Sequence, residues 1–155
     1  MKGRDKSMKK VIKIVVFSLL GLVLIMRLSV PLINNLIAFD VKRKLIALSL
    51  PESTQIIDSI SCAGKLVGNG NGMQFFGAML IKSELSQDQL MNYYQTYQDT
   101  IPSISVDRQL GNKIESIINR ELAFSQTGNV SGYYIVSAFL DESDYFLSDY
   151  DLRGH

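Results

Sequence analysis

The sequence has one cysteine, Cys62, and one histidine, His155. A lone cysteine forms no intramolecular disulfide and no cysteine-based zinc site. A lone histidine at position 155, expected to fray, supplies neither a catalytic triad nor a two-histidine metal site. Packing must therefore hold the fold together, and any metal ligation falls to carboxylates. Scarcity of cysteine suits an exported bacterial domain and a cytosolic one equally, so the compartment has to be read from the N-terminus.

Phosphate-binding signatures are missing as well. Gly68-Asn69-Gly70-Asn71-Gly72 is followed by a strand pattern, whereas a dinucleotide fingerprint needs a helix to open directly after its glycines. It reads as a hairpin turn. Gly64-Lys65 fails as a Walker motif, because Ser59 stands at the first glycine position and Leu66 replaces the magnesium-binding Ser or Thr. Asp149-Tyr150-Asp151 resembles the start of a calcium loop but has no closing glutamate, so the acidic run Asp141, Glu142, Asp144, Asp149 and Asp151 reads as a solvated tail. Asn129-Val130-Ser131 matches a glycosylation acceptor, which matters only in a eukaryotic secretory pathway. Cys62, on a strand with no histidine to activate it, reads as buried and inert.

What is present is a charge asymmetry hidden by the net charge of +1. Residues 1–49 carry ten Lys/Arg against two Asp/Glu, and residues 50–155 carry six against thirteen. The first part suits anionic lipid head groups; the second would be repelled by nucleic acid, which excludes DNA or RNA as a partner.

Six basic residues up to Lys13 precede an apolar run, Ile14 to Ile33, interrupted only by Arg27. At about 1.5 Å per residue this run matches a hydrocarbon core of about 30 Å, with Arg27 snorkelling to the interface. No A-x-A site and no lipobox cysteine follows, so an uncleaved signal-anchor is favoured over a cleaved signal. The positive-inside rule puts residues 1–13 in the cytoplasm and the remainder outside, although Lys42, Arg43 and Lys44 oppose that orientation. Pro31 suits a first helical turn, and residues 34–50 read as a linker helix closed by Leu50-Pro51.

Residues 51–140 read as one domain. Gln55 to Cys62 alternates, with Ile56, Asp58, Ile60 and Cys62 on one face, and Met73 to Lys82 is apolar on both faces, as expected of a central strand. Gly68 to Gly72 favours a tight reversal between them. Ser86 and Gln89 form a capping box for a helix whose Leu90, Tyr93, Tyr94 and Tyr97 make one stripe, expected to lie on the sheet. Residues 103–108 re-enter the sheet. Residues 113–124 suit either helix or strand, and we favour a short helix and then a strand from Glu121. Thr127-Gly128-Asn129 makes a turn, and Gly132 to Leu140 is another inner strand. The expected fold is α+β: a transmembrane helix, then a small antiparallel sheet with its helices on one face, and an acidic tail over 141–155.

The succession Leu50-Pro51, strand, glycine turn, strand ending in Ser83, then Leu85-Ser86 opening a helix with Tyr93-Tyr94, resembles small uncharacterised α+β domains that many bacteria tether to their membranes. The resemblance implies a cell-membrane location and imports no activity.

The sequence thus favours a membrane-anchored extracytoplasmic interaction module over a small-ligand-binding or sensory domain, and an enzyme least. No catalytic, cofactor-binding or metal-binding residues stand out. The expected partners are membrane lipid, through the N-terminal helix, and an unknown protein. Tyr93, Tyr94, Tyr97, Tyr145 and Tyr150 are the candidate ligand or partner surface. A ligand role requires a pocket between the tyrosine-bearing helix and the sheet.

Overall fold

The structure is a computed structural model that describes residues 2–101, 103–128, 131–141 and 144–155. Its first element, α1 (Lys2–Ile46), is a single helix of 45 residues. Its apolar part is long enough to cross a membrane, with an 18-residue window of mean hydropathy 2.5 and none of that window buried. Farther along, Val30, Asn34, Ala38, Val41 and Leu45 are buried. Their spacing of three and four residues places them in one stripe, and Ala38, Val41 and Leu45 join the main core. The segment expected to link anchor and domain therefore also forms a wall of the core. Pro31, expected in a first turn, lies inside the helix instead. A helix-interior proline leaves the carbonyl four residues earlier, that of Arg27, without its usual donor, a loss tolerated in helices that cross membranes.

The chain then reverses into β1 (Thr54–Gly64), β2 (Gln74–Ser83), α2 (Gln87–Gln95), β3 (Ser105–Arg108), β4 (Gly111–Lys113), β5 (Ala123–Gly128) and β6 (Tyr133–Leu140). Two short 3-10 turns follow, Ser148–Tyr150 and Leu152–Gly154. The main sheet is antiparallel in the order β1-β2-β6-β3, so the two richest apolar strands are central; β4 and β5 form a separate ribbon. The fold is α+β, as the sequence pattern indicates.

One face of the sheet carries Phe75, Met79, Ile81 and Val136 against α1 and α2. The other carries Phe76, Ala78, Leu80 and Ile135 against Leu66, Ile114, Ile117 and Phe124. Both helices thus lie on one side, and the β4-β5 ribbon with its neighbouring loops closes the other.

Three local expectations change. A register shift between Ile56 and Asp58 inserts an extra residue into β1. Such a bulge resets the alternation of side chains. Ile56 therefore packs with the helices, while Ile60 and Cys62 face the opposite cluster. The β1-β2 connection is not a tight reversal but spans residues 65–73, organised by the Gln74 side-chain oxygen, which accepts from the Leu66 and Val67 amides at 3.0 and 2.8 Å. Finally, no α-helix forms over 113–120. The amides of Ile118 and Asn119 donate to the Leu66 carbonyl at 3.1 and 3.0 Å rather than to carbonyls one turn back. Ile114 and Ile117 are buried by this arrangement and Ile118 is left exposed, so tertiary hydrogen bonding overrides a spacing compatible with helix. The strand expected from Glu121 starts at Ala123, and Thr127 and Gly128 end it. Asn129 of the expected turn and Val130 of the glycosylation motif lie outside the described residues, as does Glu142 of the tail.

Candidate interaction surface

The tyrosine stripe is set by the cap of α2. Ser86 Oγ accepts from the Gln89 amide, and the Gln89 side chain accepts from the Ser86 amide, which fixes where the helix starts. Leu90 and Tyr94 then point into the core and are fully buried. Tyr93 stacks edge-on against Tyr94 with ring centroids 5.3 Å apart, and it lies half-buried with Tyr97 at the rim. The Tyr93 hydroxyl donates to the Ser49 carbonyl at 3.1 Å and lies 3.4 Å from the Tyr97 hydroxyl. The stripe fills the interface between α2 and the sheet, and among the described residues Tyr93, Tyr94 and Tyr97 line none of the five best-defined cavities. Burial holds the Tyr94 hydroxyl protonated far above the usual phenol range. Among the described residues that hydroxyl has no hydrogen-bond partner.

Tyr145 and Tyr150 are placed elsewhere. Whereas α2 packs on β3, the tail that carries these two residues packs against α1 and the end of β1. The tail is anchored by polar groups. The buried Asn34 amide donates to the Ser148 carbonyl at 3.1 Å and to Asp151 Oδ2 at 3.0 Å. Arg153 grips both oxygens of Asp151, the nearer at 2.6 Å, and reaches the Asn35 side-chain oxygen at 2.8 Å and the Pro31 carbonyl at 3.0 Å. The Lys65 amide donates to the Arg153 carbonyl, and the Gly72 amide to the Gly154 carbonyl. Burial pushes the Asp151 carboxyl up, but the hydrogen bonds from Arg153 and Asn34 outweigh it and hold the pKa below the ordinary carboxylate value.

The tail expected to be solvated therefore docks, with Asp151 almost wholly buried and His155 Nε2 at 2.8 Å from the Asp149 carbonyl oxygen. A buried charge persists where it is paired and hydrogen-bonded, which is the situation of Asp151. Sequence reasoning missed Asn34, Asp151 and Arg153 as a unit. The available signal was the Asn34-Asn35 pair inside the apolar run Leu32 to Ile37, since polar residues on a helix otherwise apolar imply a buried partner.

Two further surfaces complete the picture. Leu32, Leu36 and Phe39 repeat at helical spacing on α1, opposite its buried stripe, and are exposed. They border a groove that also contains Cys62 and Arg120, whose guanidinium lies 3.4 Å from Cys62 Sγ. At the far end of the sheet is a polar cleft of about 840 Å3 between the β1 start, the β2 end and the residues before β6. Thr54 and Ser83 hydroxyls meet there at 2.7 Å. Among the described residues, no group of three or more His, Cys, Asp or Glu stands close enough to hold a metal ion.

Comparison with models of protein families, with curated proteins and with solved structures finds no match to the chain.

Proposed function

We propose that the protein is a single-pass membrane protein, N-terminus in the cytoplasm, which presents its α+β domain outside as an interaction module for a protein partner. The observation that carries this reading is the outer face of α1. Leu36 and Phe39 remain exposed beyond the Ile14 to Ile33 stretch that lipid would cover, with Leu32 at its edge, on the same helix whose opposite face is built into the core. An apolar stripe of this kind, held on a rigid element, suits a partner helix or strand at the membrane surface. The six basic residues up to Lys13 support the orientation.

The test has two arms. A reporter fused after His155 should be active only if it works outside the cytoplasm. A photo-reactive residue at Leu36 should give a discrete protein adduct in native membranes, and one at the exposed Leu110 should not. Activity of a strictly cytoplasmic reporter rejects the orientation, and adducts with lipid alone at Leu36 reject the interaction role.

A small polar ligand is the second reading, favoured by the cleft that Lys82, Glu84 and the Thr54-Ser83 hydroxyl pair help to line. The filled interface beneath α2 weighs against a pocket at the tyrosines.

A further inference from the structure

The tail held by Asn34 reaches the part of α1 that nears the membrane. Tyr150, Leu152 and His155 line a groove of about 740 Å3 together with Val23, Met26 and Arg27. Those helix residues are exposed and belong to the apolar stretch long enough to cross a membrane. Arg27 is the one charged residue between Lys13 and Asp40, and its guanidinium snorkels from within that stretch toward the outer interface. The docking points Pro31 and Asn35 stand about 3 Å to either side of Ile33, where the apolar run ends, at about 1.5 Å per residue. The head-group layer is about 5–8 Å thick on each side. The tail therefore lies at its level.

The tail leaves three large apolar or amphipathic side chains uncovered, two of which, Tyr150 and Leu152, line that groove. Phe146, Tyr150 and Leu152 are 81, 70 and 67 % exposed, while Ser148 and Asp151 between them are the buried, hydrogen-bonded residues. Aromatic rings with a polar tip favour the membrane-water interface. We propose that residues 145–152 form a second membrane contact, an interfacial foot in which Phe146, Tyr150 and Leu152 seat in the head-group layer of the leaflet through which α1 leaves. The occupant is the lipid bilayer itself, because the groove is continuous with the apolar surface of α1. Asp144 and Asp149 are exposed and Asp151 is already paired with Arg153, so the contact draws on apolar burial and does not need anionic lipid. This inference rests on α1 being a membrane span.

The sequence contains no tryptophan, so each substitution below gives the full-length chain a single indole emitter. Leu20→Trp lies within the proposed span. Tyr150→Trp and Phe146→Trp replace exposed side chains of the foot. Leu110→Trp lies past the end of β3 at Arg108, which pairs with Tyr134 near the start of β6, at the sheet end opposite Gly64 and the tail. Each variant is reconstituted in phosphatidylcholine vesicles whose acyl chains are brominated near the head group or near the terminal methyl. Leu20→Trp should lose emission with either lipid, both foot variants should lose more with the shallow bromines, and Leu110→Trp should be unaffected. If the foot variants behave like Leu110→Trp while Leu20→Trp is quenched, the tail is in water and the foot is wrong although the span stands. If Leu20→Trp is not quenched, the span fails and the foot with it. Quenching of the foot variants that disappears as the protein-to-lipid ratio rises means that a second copy covers the tail, and this too overturns the proposal.

Discussion

Gly77 of β2 lies directly beneath Lys42 of α1: a methyl group on Gly77 would stand 2.5 Å from the Lys42 backbone nitrogen and 2.9 Å from the Val41 carbonyl carbon. Both atoms belong to helix backbone, which cannot swing aside as a side chain does. The absence of a side chain at Gly77 thus sets how closely α1 approaches the sheet. Gly77→Ala should destabilise the full-length chain in micelles by about 1–3 kcal/mol, and Gly77→Val by more, through overpacking. Denaturant titration reads this directly, and an unchanged midpoint for Gly77→Val means that α1 does not rest on β2.

Tyr94 separates two contributions of one side chain. Tyr94→Ala should cost about 3–5 kcal/mol, as expected for deleting a large buried ring. Tyr94→Phe removes only a hydroxyl that has no partner among the described residues, so it should leave stability unchanged or raise it by up to about 3 kcal/mol. Loss of stability in Tyr94→Phe would reveal a hydrogen bond to that hydroxyl.

A chain shortened to begin at Leu50 should not fold cooperatively, because it lacks Ala38, Val41 and Leu45 and uncovers the sheet face they protect. Full burial of a Val or Leu side chain is worth about 1.5–3 kcal/mol, and a domain has only about 5–15 kcal/mol in all. A chain beginning at Leu28 keeps the whole stripe from Val30 to Leu45 and should fold. Near-ultraviolet circular dichroism of the two fragments tests the contrast, and a sharp unfolding transition for the shorter one counts against α1 as a core element.

Asp58 ties β1 to β5 and gives the domain an acid-sensitive clamp. Its Oδ2 accepts from the Ser125 amide and hydroxyl, both at 2.7 Å, and from the Gln126 amide at 3.2 Å, while Oδ1 accepts from the Ser59 amide at 2.7 Å. Burial pushes this carboxyl up, but the hydrogen bonds prevail and hold its pKa below the ordinary value. A depressed folded-state pKa gives stability that is complete above the unfolded carboxylate range and lost as the folded group protonates, so the loss should fall below about pH 4. Asp58→Ala should cost about 1.5–3 kcal/mol at pH 7, with the gap to the parent chain narrowing as the pH falls through that window. Parallel unfolding curves at every pH would assign the clamp no role.

Much of this architecture can be read from local sequence. The Ser86-Gln89 box, the two-faced apolar pattern of β2 and the run in β6 each encode an element through short-range chemistry, and each forms as expected. What escaped depends on contacts distant in the chain. The bulge near Ile57 has no signature in an alternation that looks regular. Residues 113–120 satisfy helical spacing, yet they donate to Leu66, about fifty positions away. The tail was opaque for the same reason, since the burial of Asp151 depends on Asn34 and shows only once α1 and the tail meet. Of the candidate tyrosines, Tyr93, Tyr94 and Tyr97 were legible as a unit because one helix carries them, and nothing in the spacing could place Tyr145 and Tyr150.

Because one uninterrupted helix serves both as apolar shaft and as core wall, the domain has no swivel. With α1 spanning the bilayer as proposed, the direction in which the domain faces would be set by the angular phase of α1. Adding a single residue between Arg27 and Val30 would turn the whole sheet by about 100° around the helix axis relative to the apolar shaft and lift it by about 1.5 Å, while the contacts made by the stripe from Val30 to Leu45 stay as they are. If α1 spans the bilayer as proposed, a change in tilt imposed by a thicker or thinner bilayer would likewise pass along the shaft to the polar cleft at the far end.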